Sequence, residues 1–189
     1  MSLIFNEENH WYELDGQYVP SVTQVLKDQG FIDDQWFTEY GKTRGKFVHK
    51  IIEWHVKGEL DNSTVDDNLL GYLDAWVQFV KDTGFVSLYT EKPFASLTHK
   101  FAGIPDCVGS MNGMDAVLDI KSGAIGPATS LQLAGYEILI DSRLNRFALQ
   151  LKEDGKYSLK EFKARTDRGV FLSAVSCWWW KRNNLREGE

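Results

Sequence analysis

Asp119 and Lys121 stand two residues apart behind the apolar run Ala116-Val117-Leu118, and Asp106 lies thirteen residues before Asp119. An apolar run of this kind reads as a buried strand, whose alternation turns Asp119 and Lys121 to one face. Asn112-Gly113, between the two aspartates, is a hairpin signal. It folds two strands back beside each other and makes Asp106 and Asp119 neighbours. Two carboxylates at the edge of a low-dielectric sheet repel unless a cation lies between them, and an all-oxygen pair suits a hard ion, Mg²⁺ or Mn²⁺. Such an ion polarises a phosphate oxygen and acidifies a bound water, while a lysine ammonium orients that water and stabilises charge developing on the phosphate. The chemistry indicated is phosphodiester hydrolysis.

The triplet by itself decides little, since Glu161-Phe162-Lys163 repeats its form in a polar, lysine-rich segment. Gln132 and Tyr136, four apart, share one helical face close behind Lys121, where an amide and a phenol can hold phosphates or bases. Without Asp119 and Lys121 they would be an ordinary half-exposed helix face. His49 and Glu53 are also four apart and follow Arg44-Gly45; a lone helical histidine is most often a surface or core residue. His55 and His99 have no carboxylate or cysteine at ligand spacing and are read as structural.

The elements that must position these residues can be read from the pattern. Residues 10–20 alternate around Asp15-Gly16 as a hairpin, and Ser21 caps a short helix to about Lys27. A long helix is predicted over 35–57, its apolar face formed by Phe47, Ile51 and Trp54 with Val48 and Ile52, and ended by Gly58; a second runs over 66–82. Three consecutive strands, 85–96, 101–111 and 114–122, form an antiparallel meander. A helix follows over 131–140 behind Pro127, then strands 146–151 and 157–162, then a helix over 167–182. The run Trp178-Trp179-Trp180 cannot lie on one face of that helix, so at least one tryptophan is exposed. This order predicts an α/β (α+β) fold with a central mixed sheet flanked by helices.

At 189 residues and 43% hydrophobic content the chain suits one domain. We divide it into an N-terminal hairpin and helix (1–30), a catalytic core (35–142) and a basic C-terminal part (143–189). No stretch has the length and apolarity of a membrane span, and residues 1–9 lack the pattern of a secretion signal, so a cytosolic (cytoplasmic) location is expected. Cys107 and Cys177 are the two cysteines. Seventy positions apart, they read as buried thiols and provide neither a zinc pair nor an iron–sulfur cluster. The net charge of −6 conceals an asymmetry: residues 1–142 carry 10 Lys/Arg against 21 Asp/Glu, and residues 143–189 carry 11 against 6. The C-terminal quarter is therefore the expected phosphate-facing surface, through Arg143, Arg146, Lys163, Arg165, Arg168, Lys181 and Arg182.

Five features in order resemble the PD-(D/E)XK nucleases of the RecB and lambda-exonuclease branch, small phage-type exonucleases in particular. They are Gly-x-x-x-His at Gly45 to His49, a strand glutamate at Glu91, Gly-x-x-Asp at Gly103 to Asp106, Asp-x-Lys at Asp119 to Lys121, and Gln-x-x-x-Tyr at Gln132 to Tyr136. The resemblance implies a restriction-endonuclease-like core. It also implies a Mg²⁺ or Mn²⁺ ion held by His49, Asp106, Asp119 and the Ile120 carbonyl, with Glu91 as a further candidate ligand. Lys121 would assist the attacking water, with Gln132 and Tyr136 supporting site and DNA. Arg44 and Ser122 join them as expected DNA contacts; Ser122 stands where the branch often has threonine. The activity implied is exonucleolytic cleavage in phage-type recombination, replication or repair, with a single-strand annealing protein as a partner and ring formation in some relatives. A structure-specific endonuclease and a catalytically idle DNA-binding subunit are the competing readings.

Overall fold

The computed structural model describes residues 2–9, 11–33, 38–140 and 143–185. Its centre is a five-stranded mixed sheet in the order β10-β9-β8-β7-β4. These strands are β4 (Val86–Thr90), β7 (Cys107–Met111), β8 (Met114–Lys121), β9 (Asn145–Leu151) and β10 (Tyr157–Phe162). β8 and β9 run parallel, joined by helix α4 (Thr129–Ile140), and the remaining pairs are antiparallel.

Strand alternation sorts the core into two layers. Ala116, Leu118 and Ile120 of β8, with Phe147, Leu149 and Leu151 of β9, pack under α2 (Glu39–Lys57) and α3 (Asp67–Thr83). Val117, one residue out of phase, joins the opposite layer with α1 (Val22–Asp28), α4 and α5 (Thr166–Asn184). Asp119 and Lys121 share the phase of Val117, and so does Arg146, the register partner of Val117 on β9. The mixed sheet between helices is the architecture predicted from the element order.

Local chemistry accounts for the boundaries. The Ser21 hydroxyl accepts from Gln24 N at the start of α1, and Gly58 ends α2 in the left-handed conformation. The turns Asp15-Gly16 and Asn112-Gly113 have positive φ at both residues, as a tight two-residue hairpin requires. α2 begins at Glu39; the expected start at residue 35 and the hairpin's first residue, 10, fall outside the described residues. An additional strand, β1 (Leu3–Asn6), pairs with β2 (Trp11–Leu14), which pairs with β3 (Gln17–Val19).

Four expectations need correction. The strands predicted over 85–96 and 101–111 are each broken, giving β5 (Phe94–Ser96) and β6 (Phe101–Gly103) as a separate two-stranded sheet. Pro93 and Pro105 fall in the breaks; neither has an N–H to offer a ladder. On α2, Val48, Ile51 and Ile52 form the buried face, whereas Phe47 and Trp54 are 54% and 40% exposed. Cys177 is exposed on α5, while Cys107 is buried. The tryptophan run agrees with expectation: Trp178 is buried and donates to Asp28, Trp179 donates to the Lys100 carbonyl, and Trp180 faces solvent.

Candidate active site

The two strand breaks lie side by side, and the site forms around them. The register Cys107↔Leu118, continued one step, sets Asp106 opposite Asp119. Asp106 does not continue the ladder with its backbone; its carboxylate accepts the Ile120 N–H. On its other side the Asp106 carbonyl accepts from Glu91 N at 3.1 Å. Glu91 has φ +47°, a left-handed conformation that disfavours a residue with a Cβ, costing on the order of 1 kcal/mol. In this conformation its carboxylate faces His49.

His49 projects from α2 into this corner. Its Nδ1 lies 3.3 Å from Glu91 Oε1 and 3.4 Å from Asp106 Oδ1, and its Nε2 lies 2.9 Å from the Ile120 carbonyl oxygen. Burial works against the imidazolium, but Asp106 and then Glu91 outweigh it and hold His49 well above the ordinary histidine range. Burial raises Glu91; it would raise Asp106 too, but His49, Lys121 and the Ile120 N–H bring Asp106 below the usual carboxylate value. Ligand atoms of His49, Glu91 and Asp106 all lie within 4.8 Å of one another. One imidazole nitrogen and two carboxylates in that space suit a divalent cation.

Asp119 belongs to an adjoining chain of contacts. Lys121 Nζ donates to its Oδ1 at 3.1 Å and forms an ion pair with its Oδ2 at 2.8 Å; Oδ2 is buried and accepts no hydrogen bond. A buried carboxylate oxygen in that condition is a ready acceptor for a cation. Lys121 also donates to Gln132 Oε1 at 3.3 Å, and Gln132 Nε2 donates to the Tyr136 hydroxyl at 3.0 Å. The four-residue spacing of Gln132 and Tyr136 thus aligns an amide and a phenol behind the lysine. Gly103 completes the fit, since a Cβ there would come within 3.2 Å of Tyr136 and 3.0 Å of Val22.

Burial, only partly offset by Lys121 and reinforced by Asp106, pushes Asp119 up to about 6 from a usual 3.8. The folded chain therefore keeps this proton at pH values where the unfolded chain has released it. The stability it contributes is complete below about pH 4 and lost as pH rises through about 6. In metal-free protein, wild type is expected to lose on the order of 2 to 3 kcal/mol between pH 4 and pH 7 relative to Asp119→Asn, which cannot titrate. Urea midpoints of the two proteins across that range test this; parallel pH profiles would contradict it.

Of the residues singled out from sequence, the structure brings together His49, Glu91, Asp106, Asp119, Ile120, Lys121, Gln132 and Tyr136. Asp119 lies outside the three-ligand group and faces Lys121 instead. Arg44 and Ser122 flank the site, as Cβ atoms built on Gly123 and Gly45 would lie 3.7 Å from Arg44 Nη2 and Ser122 Oγ respectively. Glu53 is neutralised by Lys50 and Lys57. The triplet at Glu161 to Lys163 forms an exposed ion pair at the end of edge strand β10. A residue missed by the sequence reading is Tyr12 of β2, buried against Phe5; burial first and Glu91 second raise its phenol.

Arg146 requires correction. It is 5% exposed, stands 3.5 Å from Glu137 and 3.2 Å from Asp167, and donates to the Ala164 carbonyl at 2.7 Å. It joins β9 to α4 and α5 and is not available to phosphate, because its strand phase points it under those helices. Arg168 is partly engaged by Glu137 at 3.0 Å; Arg143 and Arg165 are exposed. Arg146→Ala is expected to destabilise the fold by about 3 kcal/mol or more, since it leaves buried carboxylates uncompensated. A urea midpoint equal to that of wild type would return Arg146 to the surface set.

No family model and no curated protein sequence matches the chain. Solved structures do. A candidate exonuclease from Eubacterium rectale matches at TM-score 0.51 and 10% identity, over 92% of this chain and 77% of that one. LHK-Exo, an alkaline exonuclease from Laribacter hongkongensis, matches at TM-score 0.44 and 13% identity over 88% of this chain and 93% of that one. Its complex with dAMP gives 0.43 and 14% over 89% and 94%. The first likeness establishes a shared fold; the other two, below one half, carry no argument.

Proposed function

We propose that the chain is a divalent-metal-dependent deoxyribonuclease of the PD-(D/E)XK type, most consistent with an exonuclease. The observation that carries the reading is the convergence of His49, Glu91 and Asp106 within 4.8 Å, beside the ion pair of buried Asp119 with half-buried Lys121 at one end of the sheet. His49, Glu91, Asp106 and the Oδ2 of Asp119 would hold the ion, with the Ile120 carbonyl at the same corner. When bound, Mg²⁺ or Mn²⁺ supplies Lewis-acid polarisation of a phosphate oxygen and a water of lowered pKa. An imidazole in the ligand set favours Mn²⁺.

The protein's own groups supply orientation and charge. Burial lowers the proton affinity of Lys121, but Asp119 and Asp106 more than restore it, so Lys121 remains an ammonium at neutral pH. A fixed ammonium beside the reacting phosphate stabilises its developing negative charge. Gln132, held by the Tyr136 hydroxyl, limits where that ammonium can move. The resemblance of the sequence motifs to phage-type exonucleases is what extends the proposal to DNA in recombination, replication or repair, with a single-strand annealing protein as partner. Among the described residues no helix is long and apolar enough to cross a membrane.

Exonuclease and endonuclease are separated by digesting end-labelled linear duplex, linear single strands and closed circular DNA in parallel. Loss of the linear substrates with circles intact is the expected result. Linearised circles would make the enzyme an endonuclease, and no cleavage of any substrate would leave a DNA-binding subunit.

A further inference from the structure

α2 supplies His49 to the site, yet its opposite flank is unlike the rest of the surface. The helix as a whole carries five of the ten Lys/Arg in residues 1–142 and two of the 21 Asp/Glu, a local excess of positive charge within an acidic region; four of the five cations are lysines of this flank, which also holds both glutamates. Tyr40, Phe47 and Trp54 recur at every seventh position and are 66%, 54% and 40% exposed. At about 100° per residue they share one side of the helix within about 40°, along about 21 Å of its length.

The same geometry orders the intervening residues. Starting from His49 and moving round the helix, Lys42, Lys46, Lys57 and Lys50 occupy roughly the first 100°, and the aromatic row follows between about 140° and 180°. Lys42 pairs with Glu39, while Lys50 and Lys57 share the single carboxylate of Glu53. Two rings already have cations beside them: Lys50 Nζ lies 5.3 Å from the Trp54 ring and the Arg44 guanidinium 5.5 Å from that of Tyr40.

We propose that this flank of α2 binds single-stranded DNA, with phosphates along the lysine row and unstacked bases on Tyr40, Phe47 and Trp54. The inference rests on the nuclease reading for the identity of the strand, the one leading to His49. A duplex hides its base faces in its own stack, so exposed rings on a basic helix are addressed to a strand already separated. Every base has a π-face, so such a surface tolerates any sequence. Two copies of this chain meeting stripe to stripe would bring lysine rows toward each other, which opposes a symmetric self-contact.

Anisotropy of labelled oligo(dT) and of a short duplex, measured in EDTA, tests the proposal. Tyr40→Ala/Phe47→Ala/Trp54→Ala is expected to weaken oligo(dT) binding at least about tenfold, since each base–ring stack contributes substantially. Duplex affinity should change less than about twofold, because the lysines remain. Phe47→Trp, which keeps a ring, should retain oligo(dT) affinity, and Phe47→Ala by itself should weaken it several-fold. Oligo(dT) binding by the triple variant equal to wild type, or an equal loss for both DNAs, would overturn the proposal. Light scattering in which the triple variant splits a wild-type oligomer would overturn it in favour of a contact between copies. Cleavage by wild type is scored separately with Mn²⁺. Absent cleavage with oligo(dT) binding lost in the triple variant removes the nuclease reading and keeps the stripe; cleavage with unchanged oligo(dT) binding does the reverse.

Discussion

Lys121→Ala is expected to lower DNA cleavage about a thousandfold while leaving metal binding nearly intact. The ammonium touches Asp119 and Gln132, and Lys121 is not among the three residues that converge as candidate ligands. Its contribution falls on the charge that develops in the transition state, where removal of one preorganised donor costs roughly 10² to 10³ in rate. The substitution also leaves Asp119 buried without its cation, and the carboxyl answers by taking up a proton more readily. A modest stability change is therefore expected. The check is single-turnover cleavage with saturating DNA, beside a calorimetric Mn²⁺ titration. Full activity in the variant would remove Lys121 from the mechanism, and lost metal binding would make it a ligand-positioning residue.

The second large effect concerns Asp106, which has two tasks. One carboxylate oxygen accepts the Ile120 N–H, and the other faces His49 across 3.4 Å. Asp106→Ala would leave the buried Ile120 N–H without a partner and remove one of the two carboxylates facing His49, confusing loss of fold with loss of function. Asp106→Asn keeps an oxygen for the N–H and removes the charge. Metal affinity is expected to fall at least about a hundredfold and cleavage to become undetectable, with the urea midpoint within about 1 kcal/mol of wild type. The raised His49 should also return toward the ordinary histidine range, because Asp106 is the larger of the two carboxylates holding it up. Unchanged Mn²⁺ affinity would exclude Asp106 from the ligand set.

Much of this site was legible in the sequence because its parts sit on short, regular spacings. Asp119 and Lys121 declare a shared face through strand alternation, Asn112-Gly113 fixes the turn that brings Asp106 across, and Gln132 and Tyr136 lie one helical turn apart. What was not legible depends on where separate elements dock. The ion pairs that bury Arg146 require α4 and α5 to close over β9, and no local pattern gives that packing. Phe47 and Trp54 fit an apolar stripe on paper, but Val48, Ile51 and Ile52 lie on the side that packs with α3 and the sheet, and which side that is depends on how the helix docks. Glu91 was a glutamate beside a lysine; its left-handed backbone and the hydrogen bond to Asp106 make it a site residue. A signal was present in Pro93 and Pro105, which interrupt two strands and locate the kinks where Glu91 and Asp106 stand. Tyr12 is brought near Glu91 by the attachment of the N-terminal sheet, through the Pro20–Ala102 hydrogen bond and the packing of Tyr12, Leu14 and Val19 with Ala102.

The central claim is tested most directly by incubating the purified wild-type chain with end-labelled linear duplex DNA in Mn²⁺, in Mg²⁺ and in EDTA, with Asp119→Asn alongside. The account predicts progressive loss of the duplex in either metal, faster in Mn²⁺, with none in EDTA and none by the variant. Cleavage that persists in EDTA, or that Asp119→Asn performs at the wild-type rate, would contradict it.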